Sequence, residues 1–84
     1  MTRFKTTALK AYTVLEPKEP ERKLASWLHG RMLELGVDVS IGSVHNWLSG
    51  RVPNVPERAW GALLTIEGEA VLHLEGLLKD MGQR

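Results

Sequence analysis

Apolar residues recur every three or four positions along most of the chain, a spacing typical of helices with one buried face. Stretches of this kind cover residues 8–15, 24–35, 41–48, 60–66 and 70–81, and Gly or Pro residues separate them. No convincing sheet pattern accompanies them. The sequence therefore predicts an all-α fold, a compact bundle of four to five helices.

The first apolar stretch follows two residues that can cap a helix, Thr6 and Thr7, and the helix is predicted to run to Leu15. Residues 1–5 precede this cap and are predicted to form a mobile tail. The two threonines also favour β structure, so a strand stays open as the alternative here. Residues 16–20 end the element, because each proline disfavours the α conformation of the residue before it.

Proline and glycine set the remaining boundaries. Pro20 suits the first turn of a second helix, since the amide that proline lacks has no helical partner there. Gly36 is predicted to end that helix. Near the other end of the chain, Gly68 lies between two glutamates and is predicted to break the pattern, so that residues 68–82 form a separate C-terminal helix.

The stretch from Ser40 to Gly50 has the clearest boundaries. The Ser40 hydroxyl can accept a hydrogen bond from a first-turn amide, and Gly50 tolerates the left-handed conformation that ends many helices. At about 100° per residue, one face is apolar and predicted to be mostly core: Ile41, Val44, Trp47 and Leu48. The other face is small and polar: Gly42, Ser43, His45, Asn46 and Ser49. A merely solvated helix normally carries Lys and Glu there, so we predict that this face contacts another molecule.

The same stretch resembles the second, DNA-reading helix of the Cro and phage-repressor type of helix-turn-helix family. The residues that carry the resemblance are Val39-Ser40, Val44, Trp47, Gly50 and Pro53, and the segment Gly50 to Arg58 resembles the one after the reading helix in small phage and plasmid members. The resemblance implies a single helix-turn-helix DNA-binding domain over residues 1–84, with its core at residues 20–49 and helix 40–49 in the major groove. Gly36 lies earlier than the family pattern places it, which predicts either an enlarged turn or a shifted preceding helix.

The candidate DNA-binding residues are Ser40, Ile41, Gly42, Ser43, His45, Asn46, Arg51 and Arg58. Asn46 is the best candidate for direct readout, because its amide can pair with the N6/N7 edge of adenine. Ile41 is either core or a contact to a thymine methyl group. The resemblance implies that Arg51 grips a phosphate, and Arg58 is a second choice. A solvated role is the alternative for each polar residue in this set.

The C-terminal helix carries an apolar stripe that needs burial: Val71, Leu74, Leu77, Leu78 and Met81. We predict that these residues form a homodimer interface. Two reading helices would then lie about 34 Å apart and match a palindromic operator. The alternative is that the stripe only closes the core of the monomer.

The distribution of charge along the chain adds modest support for contact with DNA. The net charge is only +1, but residues 1–58 hold nine Lys and Arg against six Asp and Glu, whereas residues 59–84 hold two against four. This asymmetry suits a basic side that meets phosphate and a neutral or acidic side that meets protein.

Other function classes find little support. A chain of 84 residues has a core too small for a deep catalytic cavity, and no catalytic arrangement is present, so we predict no enzyme, cofactor or small-molecule substrate. The chain has no cysteine, and its histidines fall on separate elements, so no metal site is predicted. No apolar run approaches the roughly 20 residues that cross a bilayer, so no membrane partner is predicted.

These features predict a sequence-specific double-stranded DNA-binding transcriptional repressor of a phage or plasmid, which binds a palindromic operator as a homodimer. The expected location is the bacterial cytoplasm, at the nucleoid. Two alternatives stay open: a helical protein-interaction module, such as an antitoxin or phage regulator, and an architectural nucleic-acid binder without sequence preference.

Overall fold

The computed structural model describes residues 2–82 and contains four α-helices within them. These are α1 (Arg3–Leu15), α2 (Leu24–Glu34), α3 (Ile41–Ser49) and α4 (Glu57–Gly82), and a single 3-10 turn (Glu21–Lys23) leads into α2. The described residues include no strand. The predicted all-α bundle of four to five helices is therefore confirmed, and the strand alternative for the first stretch is wrong.

Helix α1 begins at Arg3, so the predicted tail is wrong for residues 2–5, while Met1 lies outside the described residues. The Thr2 hydroxyl accepts a hydrogen bond from the Lys5 amide at 3.0 Å and caps the helix. Phe4 is only 2% exposed and its ring packs edge-on against those of Trp47 and Trp60. The Thr2 cap and the buried Phe4 ring thus hold the first turn of α1, which the sequence pattern had assigned to a mobile tail.

The connector after α1 is held by Tyr12. Its hydroxyl donates a hydrogen bond to the Pro20 carbonyl at 2.7 Å, and its ring lies 5.1 Å from that of Trp27. Burial raises the pKa of the Tyr12 hydroxyl, and the nearby Glu19 carboxylate adds to the rise, so the group stays protonated and keeps donating. The proline-rich connector is thus tied to the start of α2.

Gly36 ends the last turn of α2, as predicted. It has a φ of 81°, its amide donates to the Leu33 carbonyl at 3.0 Å, and the Val37 amide donates to the Met32 carbonyl at 2.8 Å. This pair of bonds is a Schellman motif, which reverses the chain after a helix. His29 then fixes the link to α3, since its Nε2 donates to the Val39 carbonyl at 2.8 Å.

Helix α4 runs without interruption through Gly68, so the predicted break and the separate helix over 68–82 are wrong. Ile66 and Ala70 flank the glycine and are both buried, so tertiary packing holds the turns on either side. Glu69 also bonds to Arg31 of α2. Because of these contacts, the cost of one glycine in a helix, about 1 kcal/mol, is outweighed.

Helices α1 and α4 run side by side in the same direction. Phe4 meets Trp60 near the start of both helices, and a groove between them is bordered by Val14 and Leu74 further along. Ala70 is the last buried residue of α4, so the end of this helix projects beyond the core. The dimensions of 47 × 24 × 19 Å reflect this projection.

Candidate nucleic-acid interface

Both predicted ends of α3 are confirmed. The Ser40 Oγ accepts a hydrogen bond from the Ser43 amide at 3.1 Å, and Gly50 has a φ of 80° directly after the last helical residue. The Gly50 amide donates to the Trp47 carbonyl at 3.3 Å. The length of α3 is thus set by residues at its own two ends.

The apolar face of α3 is packed into the core as predicted. Val44 is 0% exposed, Trp47 6% and Leu48 8%. The Trp47 ring meets that of Phe4 at a centroid distance of 6.0 Å and an angle of 73°, an edge-to-face arrangement. Ile41 is 39% exposed, so it belongs to the surface at the beginning of the helix rather than to the core.

The opposite side, which we call the outer face of α3, is turned away from the core. It comprises the exposed Gly42, His45 and Ser49 and the half-buried Ser43 and Asn46. The serine hydroxyls are engaged locally, since Ser40 bonds to Ser43 and Ser49 donates to the Asn46 carbonyl. Within residues 2–82 the Asn46 side-chain amide makes no hydrogen bond, and only the backbone carbonyl of this residue accepts one from Ser49.

Basic side chains lie at the surface near the ends of α3 and on the elements around it. Arg51 follows α3 and Arg58 is on the first turn of α4, and both are exposed. Lys5 and Arg22 border a shallow groove together with His45. Lys5 lies 3.8 Å from Glu21, whereas Arg22, Arg51 and Arg58 have no acidic partner within 4 Å in the described part of the chain.

Sequence reasoning missed Lys5 as a neighbour of α3, because it assigned this residue to the tail. The missed signal was local: Thr2 stands three residues before Lys5, with an apolar Phe4 between them. Arg31, by contrast, is occupied, since its guanidinium bonds to Glu34 and Glu69 and braces α2 against α4.

The predicted dimer-interface residues are all exposed. The exposed fractions run from 44% for Leu74 to 70% for Met81, with Val71, Leu77 and Leu78 between these values. The alternative that this stripe only closes the monomer core is therefore wrong. The partner that covers it stays a prediction.

The two left-handed glycines offer a matched pair of substitutions. A Cβ at Gly50 would lie 2.8 Å from the Thr2 Cγ2, whereas a Cβ at Gly36 would meet nothing within 4 Å, and both residues have φ near 80°. We expect Gly36→Ala to cost about 1–2 kcal/mol of stability from backbone strain alone. Gly50→Ala should cost more, because the Thr2 side chain, which caps α1, must also move. Urea unfolding of both variants measures this difference, and equal losses would contradict it.

Two further properties of residues 2–82 bear on function. No helix in this range is both long and apolar enough to cross a bilayer. The same range has no group of three or more His, Asp or Glu side chains placed to hold a metal ion.

Comparison with known proteins gives no family assignment. No family model matches the chain, and searches of curated proteins and of solved structures also find no match.

Proposed function

We propose that the protein is a sequence-specific, double-stranded DNA-binding transcriptional repressor that binds a palindromic operator as a homodimer and belongs to the Cro and phage-repressor type. In this proposal α3 enters the major groove and basic side chains beside it grip the flanking phosphates. RNA polymerase is excluded by occupancy of the operator. The protein would act at the nucleoid in the bacterial cytoplasm.

The observation that carries the proposal is the outer face of α3. Trp47 and Val44 hold the opposite side of α3 in the core, while Asn46 and His45 lie on the outer face. Base readout requires such an arrangement, because side chains must reach base edges from a fixed helix in the groove. The small residues Gly42 and Ser43 let the helix backbone approach the DNA closely.

Charge supports the same surface. Arg22, Arg51 and Arg58 have no acidic partner within 4 Å in the described residues, and Lys5 borders the groove beside α3. Phosphate contacts of this kind fix the register of a protein on DNA but do not read sequence. We therefore assign base contacts to α3 and the orientation of the protein on DNA to the arginines.

The test is selection of bound fragments from random DNA, followed by titration of the selected sequence at several salt concentrations. We expect a palindromic site, a steep fall of affinity with salt, and tight preference over scrambled DNA. Sedimentation of the complex should give two protein chains for each site. Affinity that is equal for all sequences would favour the architectural alternative.

The second candidate function is a helical protein-interaction module, and one observation favours it. The end of α4 exposes large apolar side chains, among them Leu72 at 68% and Leu78 at 65%. Such a surface normally marks a protein contact. Absence of binding to any DNA in the selection would favour this function over repression.

Substitution of Arg51 tests its role as a phosphate contact separately from base readout. Arg51→Ala should weaken binding to selected and random DNA about equally, and make the slope of log affinity against log salt shallower by about 2, because a bound homodimer loses two phosphate contacts. Lys18→Ala is the matched control, since it removes one exposed positive charge from the connector between α1 and α2. Fluorescence anisotropy measures both slopes. A loss restricted to the selected site would instead assign Arg51 to base readout.

A further inference from the structure

The part of α4 beyond Ala70, residues 71–82, forms an arm in which every residue is exposed. At 1.5 Å per residue this arm is about 18 Å long. Its large apolar side chains are Val71, Leu72, Leu74, Leu77, Leu78 and Met81. An apolar surface of this size on a projecting helix requires a partner.

The spacing of the arm is that of a two-stranded coiled coil. Leu74, Leu77 and Met81 are separated by three and four residues, which is the alternation of a coiled-coil seam, and the spacing continues back to Ala70, which is already buried in the core. The two flanks of this seam differ. One flank carries Val71 and Leu78, and the other carries His73 and Asp80.

We propose that two copies of the chain pair through their arms in antiparallel orientation, with Leu74 of one copy against the partner's Leu77. This inference rests on the homodimer of the proposed function and specifies its orientation and register. On the polar flank, His73 then faces the partner's Asp80, and the two-fold axis repeats the pair. On the apolar flank, Val71 faces the partner's Leu78.

Charge complementarity selects the antiparallel orientation. The imidazole of His73 can donate a hydrogen bond to a carboxylate, and the antiparallel register supplies one on each side of the axis. A parallel register would place His73 against the partner's Leu78 and leave Asp80 without a partner on the facing arm. His73 and Asp80 therefore find hydrogen-bond partners on the facing arm only in the antiparallel orientation.

The base of the arm supports the same register. A groove there is bordered by Leu9 and Val14 of α1 and by Leu74, and three further α1 residues complete its lining: Thr6, Lys10 and Thr13. In the antiparallel pair, Met81 of the partner reaches the level of Ala70 and lies next to this groove. The Glu69–Arg31 contact lies on the opposite side of α4, and His73 follows Glu69 by one turn on that side. The apolar flank thus borders the groove, while the polar flank points away from it.

Cross-linking tests the register, because the natural chain contains no cysteine. Val71→Cys and Met81→Cys variants of the full chain are mixed at a concentration where the wild type sediments as a dimer, and treated with a short bis-maleimide. We expect efficient cross-linking in the mixture and little with either variant alone. In the antiparallel register Met81 and the partner's Met81 are about 16 Å apart along the axis, and the two copies of Val71 about 14 Å.

Efficient cross-linking of Met81→Cys alone would show a parallel pair and overturn the proposal. Failure of the mixture to cross-link, or a monomeric wild type, would also overturn it. Operator binding is measured on the same wild-type protein. Operator binding without cross-linking in the mixture rejects the antiparallel arm and retains the proposed function, whereas cross-linking without DNA binding supports the arm and rejects repression.

A charge exchange tests the polar flank. His73→Asp places a carboxylate against the partner's Asp80 and should weaken dimerisation several-fold. The double variant His73→Asp with Asp80→Lys should restore it to within about twofold. Both positions are exposed, so the fold should be retained, and circular dichroism confirms this. An unchanged dimer constant in the single variant would contradict the facing pair.

Discussion

Replacing Trp47 with Ala is expected to lower the free energy of unfolding by about 3–5 kcal/mol, the usual cost of deleting a large buried side chain. Trp47 is 6% exposed and meets the ring of Phe4 edge-on, so its removal leaves a cavity between α3 and α1. Small domains are stable by only about 5–15 kcal/mol in total. The variant should therefore be partly unfolded at moderate temperature.

Urea denaturation followed by circular dichroism measures this effect, and Trp60→Ala is the control. Trp60 is half-buried and packs against the same Phe4 ring, so its removal opens a site that water already reaches in part. We expect a smaller loss for Trp60 than for Trp47. The opposite order would show that α3 is not anchored mainly through its own tryptophan.

Asn46→Ala is expected to weaken binding to the selected operator by about 1–3 kcal/mol and to change binding to random DNA little. An asparagine amide can pair with the N6/N7 edge of adenine in two hydrogen bonds, and alanine cannot replace either. Asn46 is on the outer face of α3, and its side-chain amide is not used within the described residues.

The matched control is Asn54→Ala, which removes an exposed amide of the same type from the loop before α4. It should leave the affinities for operator and random DNA close to those of the wild type. Selection of a new operator by the Asn46 variant would identify the base pair that is read. Equal losses on operator and random DNA would remove Asn46 from base readout.

Local signals predicted α3 well because its limits depend on nearby residues. Ser40 caps the first turn, Gly50 ends the last, and the buried positions follow the helical period. The beginning of α1 was missed for a different reason. Its single apolar residue, Phe4, gives no periodicity, and its importance depends on Trp47 and Trp60, which are remote in sequence.

The break predicted at Gly68 failed because sequence propensity omits tertiary contacts. Burial of Ile66 and Ala70 and the Arg31–Glu69 contact keep α4 helical there. The polar face of α3 was predicted from its period, whereas the groove that brings Lys5 and Arg22 beside His45 depends on how three helices pack. Helix ends and faces that depend on neighbouring residues could be predicted from the sequence, whereas contacts between separate helices could not.

The position of Phe4 also bears on synthesis of the protein. Its ring contacts Trp47 and Trp60, which come from widely separated parts of the chain. During translation, Trp47 leaves the ribosome before Trp60, so the start of α4 completes this aromatic cluster last. A nascent chain that ends before Trp60 therefore leaves Phe4 packed against Trp47 alone, and the start of α1 is fully held only after α4 has been made.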